Sequence, residues 1–282
     1  MKQINFNELP VSKEVREIIS SRECRIKYKT KKEVLREYQD EKWGELLADV
    51  KIDNNISFDR YHRIMESFSE ENCFFLNDRF YVGTGEEIFK AHLKLYIETI
   101  KPYISKASCL VELGAGYGSK ILNISQYKEF DSIPLYAGEF TNSGIELISI
   151  FAKTMGIDIK TGYCDFGEMI IDGINIPENS IIFTSYATPY VPEISNDFIK
   201  FLSKLNPLIV IHFEPCYEHY QLDTIHGLMC REYIKSNDYN KNLVSVLQNG
   251  EVNNEISINT NKNVIGSNPL LPISILSWKP VY

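Results

Sequence analysis

Hydrophobic residues follow two different periods along the chain, and the period changes near residue 108. Before that point, apolar residues recur every three or four positions, as they do on one face of a helix. This spacing predicts helices over Val11–Ser20, Thr30–Val50 and Phe58–Phe68. We therefore expect residues 1–107 to be largely helical, with an interruption at the turn-forming residues 77–85.

The next helix has its own start signal. Thr84 and Glu87 have the spacing of a capping box, in which each side chain accepts a hydrogen bond from the other's backbone N–H group. Apolar residues at helical spacing follow and predict a helix through about Tyr103. We accordingly divide the chain into a helical N-terminal cap, residues 1–76, and an α/β domain, residues 77–282.

After residue 108, short apolar runs alternate with amphipathic segments, which is the pattern of a mostly parallel sheet with helical crossovers. Two β-rich segments near the end of the chain predict a terminal hairpin. The predicted strands are Cys109–Leu113, Ile133–Phe140, Ile157–Tyr163, Ser180–Ser185, Leu208–Phe213, Ile256–Val264 and Ile273–Val281. The predicted helices are Ser119–Ser125, Gly144–Met155, Ser195–Leu205 with Ser195 as its N-cap, and most of Glu218–Leu247.

A glycine motif follows the first of these strands. Gly114, Gly116 and Gly118 stand at alternate positions, and Glu112 precedes them near the end of the strand. Glycine allows the backbone to turn sharply and lets a ligand lie against the bare peptide. A dinucleotide fingerprint would require G-x-G-x-x-G, with the third glycine three residues after the second. The spacing here is G-x-G-x-G, so the motif is of a different kind.

The pattern acidic-x-G-x-G-x-G resembles motif I of the class I S-adenosylmethionine (SAM) methyltransferases. The resemblance implies a Rossmann-like seven-stranded α/β sheet whose last strand is antiparallel, with SAM as the cofactor. It implies that Glu112 holds the methionine moiety, directly or through water, and that Glu139 holds the ribose. It places Phe140, Asp165 and Phe166 against the adenine. The full set of implied cofactor residues is Glu112, Gly114, Ala115, Gly116, Gly118, Glu139, Phe140, Asp165, Phe166 and Ser185.

The segment after the fourth strand departs from one subgroup of that family. Enzymes that methylate amino groups of nucleobases or glutamine often carry Asn/Asp-Pro-Pro-aromatic here, whereas this chain has Ala187-Thr-Pro-Tyr190. The difference argues against an adenine- or glutamine-directed enzyme. Tyr186 and Tyr190 are interpreted either as walls of the methyl-transfer tunnel, and thus as substrate-binding residues, or as packing residues.

Acidic residues and histidines follow the fifth strand. Strand alternation places His212 and Glu214 on one side, and an acid at the strand end is expected to face the transferable methyl group. We therefore predict Glu214 and His212 as catalytic residues, with Glu214 as a general base or a clamp for a cation. Glu218 is predicted to bind substrate; alternatively it is an acid favoured by a helix N-terminus. Since no i, i+4 histidine pair accompanies these residues, we predict no metal.

Composition limits the remaining choices. The formal charge is −8, which is unsuited to sequence-independent binding of nucleic-acid phosphates. The sequence contains no apolar run of the ~18 residues that a membrane span needs, and its first residues lack the apolar core of a signal peptide. We therefore expect a cytoplasmic protein without nucleic-acid or membrane partners. A basic cluster from Arg22 to Lys32 is either a solvated helix face or a docking patch for an acidic partner.

Together these patterns predict a SAM-dependent methyltransferase with a helical cap. Its substrate would be a small molecule or peptide that accepts the methyl group on nitrogen or oxygen, and the acidic residues after the fifth strand favour a cationic or amino-bearing one. Two alternatives remain at this point: a nicotinamide-dependent oxidoreductase, and a non-catalytic SAM-fold protein that serves as a binding module.

Overall fold

The computed structural model of the protein describes residues 1–9 and 28–281. The predicted helix Val11–Ser20 lies outside the described residues, as do Arg22, Arg25 and Lys27 of the basic cluster. The first described strand, β1, is Lys2–Ile4.

The first long helix, α1, begins at residue 31 and ends at residue 52. It is an α-helix over Lys31–Val34, has π-helical geometry over Leu35–Lys42 and is an α-helix again over Trp43–Ile52. The second helix, α2, spans Phe58–Met65. Both helices were predicted from the apolar spacing, and the structure confirms them.

A hairpin in the N-terminal third differs from the prediction of a largely helical segment. Glu71–Leu76 and Arg79–Thr84 are antiparallel strands, β2 and β3. The turn between them is formed by Asn77 and Asp78, with φ of 46° and 61°, as two-residue hairpin turns require. Neither strand alternates strictly between apolar and polar residues, since Cys73–Leu76 and Phe80–Val82 are continuous apolar runs, so only the turn formers were recognised. The division of the chain at residue 76 stays a prediction, and this hairpin crosses it.

The helix α3 spans Gly85–Ile100 and starts at the predicted capping box. The Thr84 hydroxyl accepts a hydrogen bond from the Glu87 N–H group at 3.3 Å, and a Glu87 carboxylate oxygen accepts one from the Thr84 N–H group at 3.1 Å. The predicted start of this helix is therefore confirmed.

From residue 110 onward, strands and helices alternate as predicted. The strands are β4 (Leu110–Leu113), β5 (Leu135–Glu139), β6 (Ile159–Asp165), β7 (Ile170–Asp172), β8 (Ile181–Ser185), β9 (Ile209–Pro215), β10 (Ile256–Gly266) and β11 (Ile273–Pro280). The helices are α4 (Ser119–Ile124), α5 (Asn142–Met155), α6 (Phe198–Ser203), α7 (Ile225–Ser236) and α8 (Leu243–Val252). One cap prediction is wrong: the N-cap of α6 is Asp197, and the Ser195 hydroxyl accepts a hydrogen bond from the Asp197 N–H group.

The described strands form one sheet in the order β1-β3-β2-β10-β11-β9-β8-β4-β5-β6-β7. The strands from β9 to β6 are parallel, and β11 is antiparallel to both β9 and β10. The seven strands from β10 to β6 correspond to the seven that were predicted, including the antiparallel last strand. The remaining strands extend the sheet at both edges. On one side β2 joins β10 through pairs at Ile265 and Gly266, and on the other β7 joins β6.

Two hydrophobic layers cover the two faces of the sheet. Helices α1 to α5 pack on one face, against strand residues such as Leu110, Phe183 and Phe213. Helices α6 and α8 pack on the other face, against residues such as Val210 and Trp278. Helices on both faces bury the parallel strands β4, β5, β8 and β9, and β6 is partly buried. The carboxyl ends of the strands are left as the place where a ligand can approach.

Candidate functional site

A cavity of about 680 Å³ lies at the carboxyl ends of β4, β5, β6 and β8, beneath α1 and beside α3. Its size is within the range of small-molecule sites. We distinguish two groups of lining residues. The glycine part consists of Gly114, Ala115, Gly116, Glu139, Phe140 and Phe166, and the His92 part consists of Met65, Glu66, Ile88, His92, Tyr96 and Tyr186.

The glycine turn has the geometry that its sequence requires. Gly114, Gly116 and Gly118 have φ of 77°, 58° and 85°, a region that L side chains rarely adopt. A Cβ atom on Gly114 would lie 2.3 Å from the Cβ atom of Ala187, so the turn fits closely against the loop after β8. Gly118 is the N-cap of α4, and the cavity is lined by the other two glycines.

Glu139, at the end of β5, is buried beside the turn. Its carboxylate accepts hydrogen bonds from the Gly116 N–H group (2.8 Å), the Thr141 N–H group (3.0 Å) and the Thr141 hydroxyl (2.8 Å). Burial raises the pKa of Glu139, and these hydrogen bonds act in the opposite direction. A carboxylate has about four lone-pair positions, so Glu139 can accept one further donor from the cavity.

Asp165, at the end of β6, is already fully hydrogen-bonded. One oxygen accepts from the N–H groups of Gly167 and Glu168, and the other accepts from the Lys31 ammonium (2.9 Å) and the Tyr163 hydroxyl (3.0 Å). The predicted contact with an adenine amino group would therefore require Lys31 or Tyr163 to move. In this structure Asp165 holds the start of α1.

Two phenylalanines provide apolar surface in the glycine part. The Phe140 ring has the Lys31 ammonium 5.7 Å from its centroid and the Tyr163 ring 6.0 Å away. Phe166 is buried against Phe198, with ring centroids 5.6 Å apart, and lies close to Gly114. Both residues line the cavity, and their predicted contact with an adenine ring stays a prediction.

Helix α1 forms a roof over the glycine part. The Trp43 ring lies 3.0 Å from the position that a Cβ atom on Gly116 would occupy. The Tyr38 ring packs edge-on against the Tyr190 ring at 4.8 Å. The Gln39 side chain accepts a hydrogen bond from the Asn142 N–H group at 2.7 Å, at the first residue of α5. The roof is thus attached to the loops after β4, β5 and β8.

Glu112 lies beneath the turn and outside the cavity. One carboxylate oxygen accepts a hydrogen bond from the Ile121 N–H group at 3.0 Å, near the start of α4. The other oxygen is buried and has no partner among the described residues. Burial raises the pKa of Glu112 to about 8. In this position Glu112 supports the turn from below, and its unpaired oxygen is the one that could reach a ligand through water.

The end of β8 connects the two parts of the cavity. The Ser185 hydroxyl is 2.9 Å from the Tyr96 hydroxyl, which links the strand to α3. The next residue, Tyr186, has φ of 52° although it is not glycine. Such strained conformations persist where the surrounding structure enforces them, often at functional sites. Ser185, Tyr186 and Tyr190 all line the cavity.

Glu214 and His212 are on the same side of β9, as alternation predicted, but the structure places them behind the cavity wall. Both carboxylate oxygens of Glu214 accept from the Ala187 N–H group, at 3.1 Å each. Burial raises the pKa of Glu214 to about 7. His212 is fully buried between the Thr184 hydroxyl (3.0 Å) and the Trp278 indole N–H group (3.1 Å). These contacts give both residues structural partners, and their predicted catalytic roles stay predictions.

Glu218 is also outside the cavity lining. One of its carboxylate oxygens accepts a hydrogen bond from the Ser245 N–H group at 3.0 Å, in the first turn of α8. The alternative interpretation of Glu218 was an acid at a helix N-terminus, and this contact is of that kind. The helix is α8, however, and not the helix that follows Glu218 in sequence.

Several cavity residues were not identified from the sequence. Lys31 and Trp43 lie on a predicted helix but more than seventy positions before Gly116, so no local spacing connects them with the motif. His92 and Glu66 belong to segments that were read only as helical packing surfaces. One sequence feature could have pointed to this part of the site: His92 is a histidine on the apolar face of α3, among Ile88, Leu93 and Tyr96.

Two further types of site were searched for in the part of the chain that the structure describes. Across residues 1–9 and 28–281, no cluster of three or more His, Cys, Asp or Glu side chains is arranged to hold a metal ion. Over the same residues, no helix is long and apolar enough to cross a membrane.

Comparison with known proteins gave matches at the level of structure. No protein-family model matches the sequence, and no curated protein matches it significantly. The structure is similar to magnesium protoporphyrin IX methyltransferase from Synechocystis PCC 6803 with bound SAH. The TM-score is 0.51, and the chains are 11% identical over 89% of this chain and 100% of that chain. Another similar structure is geranyl diphosphate C-methyltransferase from Streptomyces coelicolor A3(2), with a TM-score of 0.49 and 9% identity over 70% of this chain and 82% of that chain.

The likeness at 11% identity concerns the fold and not the substrate. The chain therefore has the Rossmann-like α/β fold of the class I SAM-dependent methyltransferases.

Proposed function

We propose that this protein is a SAM-dependent methyltransferase that transfers a methyl group to a nitrogen or oxygen atom of a small molecule or peptide. One observation carries the proposal. The ends of three separate strands, β4, β5 and β6, bring the glycine turn, Glu139 and Phe166 together in one cavity. This is the position at which open α/β sheets bind ligands.

The glycine part offers polar and apolar groups of the kinds that would hold SAM. Glu139 would accept a hydrogen bond from a ribose hydroxyl at its remaining lone-pair position. Phe140 and Phe166 would contact the adenine ring, and the bare backbone at Gly114 and Gly116 would lie beside the methionine moiety. When bound, SAM supplies a methyl group that is already activated by a positively charged sulfur.

The chain itself has to align the reacting atoms and exclude water. The roof formed by α1 is suited to exclude water, since Trp43 and Tyr38 lie directly over the turn and over Tyr190. The link between Tyr96 and Ser185 holds α3 against the end of β8. The His92 part of the cavity would then receive the methyl acceptor.

Binding and turnover experiments would test the proposal separately. Isothermal titration calorimetry with SAM, its demethylated product SAH and NADH tests the cofactor. We expect binding of SAM and SAH and no binding of NADH, since the third phosphate-binding glycine is missing. Incubation of the protein with deuterated-methyl SAM and cell extracts, followed by mass spectrometry, tests transfer. Binding of NADH alone would support the oxidoreductase, and SAM binding without any transfer would support the non-catalytic binding protein.

A further inference from the structure

His92 has an unusual environment for a histidine in a hydrophobic layer. It lies on α3, is 5% exposed and lines the cavity. Its Nδ1 atom is 3.1 Å from the backbone oxygen of Ile88, one turn earlier in the helix. Its Nε2 atom is buried and has no hydrogen-bond partner among the described residues. Buried polar atoms are nearly always paired, so an unpaired one in a cavity wall marks a position for a hydrogen-bond donor, supplied by water or by a ligand.

The hydrogen bond to Ile88 assigns the tautomer of this imidazole. A backbone carbonyl can only accept, so Nδ1 must carry the proton and donate it to the Ile88 oxygen. Nε2 is then the unprotonated nitrogen with a free lone pair. Burial is the main cause that lowers the pKa of His92 to about 4. The ring is therefore neutral near pH 7, and its lone pair can accept a hydrogen bond.

The groups around His92 connect it with the carboxyl end of β8. The Tyr96 ring, one turn further along α3, is 6.1 Å from the His92 ring, and the Tyr186 ring is 6.3 Å away. The Tyr96 hydroxyl contacts Ser185 at the end of β8. A single side chain, that of Tyr96, therefore connects His92 with the end of β8.

The Glu66 carboxylate lies close enough for its charge to affect the pKa of His92. Glu66, at the end of α2, lines the same part of the cavity and raises the pKa of His92, whereas the Lys120 ammonium lowers it. Glu66 is held in place by the Tyr117 hydroxyl, which donates to it at 3.0 Å. The end of α2 packs closely against the start of α3. A Cβ atom on Gly85 would lie only 2.4 Å from the Glu66 backbone oxygen.

We propose that the methyl acceptor presents a hydroxyl group to His92 Nε2, and that His92 takes the proton of that hydroxyl during methyl transfer. This inference rests on the proposed methyltransferase function and specifies its acceptor. In the step, an oxygen lone pair forms a bond to the methyl carbon, and the carbon–sulfur bond breaks with its electrons going to sulfur. The O–H bond breaks and its proton goes to Nε2. The imidazolium that forms is stabilised by the Glu66 carboxylate and later releases the proton to solvent.

A hydroxyl suits this site better than an alkyl amine. An alkyl amine arrives as an ammonium ion near pH 7, and its proton would have to be removed before nitrogen could attack. A weakly basic, neutral imidazole is a poor base for that purpose. A hydroxyl arrives neutral and needs to lose its proton only as the new bond forms. The apolar walls Met65, Ile88 and Phe89 favour an acceptor whose hydroxyl is carried on a ring or another apolar group.

Nuclear magnetic resonance of the full-length protein tests the contact without knowledge of the natural acceptor. Protein labelled with ¹⁵N-histidine and saturated with SAH would be titrated with phenol and, separately, with benzylamine. We expect the spectrum to show His92 protonated only at Nδ1, and phenol to shift its Nε2 resonance. The His92→Gln variant assigns the signal. A His92 protonated at Nε2, or an Nε2 resonance that responds to benzylamine but not to phenol, would overturn the proposal.

Turnover tests the proton transfer. With deuterated-methyl SAM and a methanol extract of cells, we expect the wild-type product to carry its new methyl group on oxygen. His92→Gln should reduce the rate of its formation about 10²- to 10⁴-fold, with SAM affinity unchanged. His219→Gln is the matched control, because His219 is also buried with a pKa lowered to about 4 but pairs with Ser274 outside the cavity.

Three outcomes would overturn the proposal: transfer to nitrogen or carbon only, no transfer to any hydroxyl compound by protein that binds SAM, or an unchanged rate and pH profile for folded His92→Gln. Calorimetry distinguishes these from a failure of the methyltransferase function itself. If the wild-type protein does not bind SAM, both proposals are wrong. If it binds SAM and transfers the methyl group to some acceptor, and any of the three outcomes is seen, only the assignment of His92 and the hydroxyl acceptor is wrong. If it binds SAM and transfers the methyl group to nothing, the methyltransferase function is wrong as well.

Discussion

The Lys31 ammonium lies 2.9 Å from the Asp165 carboxylate, so the first turn of the roof helix is ion-paired to the end of a strand beneath it. The hydrogen bonds to Asp165 and to Glu168 raise the pKa of Lys31, which therefore stays charged. Asp165 was predicted to contact the adenine ring. Its contacts indicate a second task, which is to hold α1 over the cavity.

Breaking this ion pair should loosen the roof with little effect on the rest of the fold. The Lys31 side chain is 48% exposed, and pairs with an exposed cation contribute less than ~1 kcal/mol when the partner stays hydrogen-bonded. The Asp165 side chain is 7% exposed but keeps its hydrogen bonds from Tyr163, Gly167 and Glu168. We expect Lys31→Met to change the free energy of unfolding by no more than that amount, while the α1 amides exchange their hydrogens faster. Hydrogen-exchange mass spectrometry would measure this.

The matched control for this prediction is Lys94→Met, which removes an exposed pair with Glu98 within α3. It should leave the exchange of the α1 amides at its wild-type rate. Equal protection of α1 in Lys31→Met and the wild type would show that the ion pair does not hold the roof.

Substitution of Gly116 should weaken SAM binding through the roof as well as through the turn. A side chain at this position would meet Trp43 and would be forced into a left-handed conformation. We expect Gly116→Val to lower the affinity for SAM by at least about tenfold, measured by calorimetry. The tryptophan fluorescence should change at the same time, because Trp43 is displaced.

Gly156→Ala is the control for substitution of a left-handed glycine outside the cavity. Gly156 also has positive φ, at 69°, but a Cβ atom there would meet nothing within 4 Å. This variant should carry the backbone strain and still bind SAM normally. Wild-type affinity in a folded Gly116→Val protein would remove the glycine turn from the cofactor site.

Glu139 should contribute equally to the binding of SAM and of its product SAH, because the ribose is common to both. Loss of a hydrogen bond to a charged group corresponds to roughly 1.5–3 kcal/mol, or about ten- to a hundredfold in affinity. We expect Glu139→Ala to show losses of that size for both ligands by calorimetry. It should also lower thermal stability, because Glu139 binds the N–H groups of Gly116 and Thr141. A loss for SAM alone would mean that Glu139 contacts the sulfonium.

Glu214 should affect stability in a pH-dependent manner. Burial raises its pKa from 4.5 to about 7 in the folded protein, so between these pH values the folded state binds a proton that the unfolded state lacks. This contribution to stability is complete below pH 4.5 and is lost as the pH rises toward about 7. We expect wild-type protein to lose stability relative to Glu214→Gln across this interval, in urea denaturation at several pH values.

The same variant tests the role of Glu214 in catalysis. The glutamine oxygen can still accept from the Ala187 N–H group, so the loop after β8 should keep its position. We expect kcat to change far less than for His92→Gln. A fall of about 10²–10⁴ in kcat with SAM affinity unchanged would instead identify Glu214 as the general base.

Features of this protein that depend on neighbours in sequence could be predicted. The turn at Gly114, Gly116 and Gly118 and the capping box of Thr84 and Glu87 were identified because each is complete within five residues. The order of strands and helices from Leu110 onward was predictable for a similar reason. A parallel sheet with helical crossovers imposes its hydrophobic period on every segment of the chain.

The missed hairpin shows the limit of that approach. The residues of β2 and β3 do not alternate strictly between apolar and polar, and β2 is placed in the sheet by pairing with β10, almost two hundred residues later in the chain. Such a pairing depends on the tertiary structure and leaves no local pattern in the sequence.

The residues of the site also differ in whether the sequence alone could predict their position. The positions of Glu139 and Phe166 at the cavity were predictable, because Glu139 ends β5, Phe166 follows β6, and the carboxyl ends of parallel strands meet at one edge. Their contacts with a cofactor stay predictions. The assignment of Glu214 to the acceptor came from the same rule, yet the left-handed turn at Tyr186 brings the Ala187 N–H group to Glu214 and keeps its carboxylate behind the wall. Only the packing of α1, α2 and α3 onto that edge brings Trp43, Glu66 and His92 to the cavity. The sequence contains these residues, but it does not show that they meet. The burial that leaves Nε2 of His92 without a partner arises only in the folded chain.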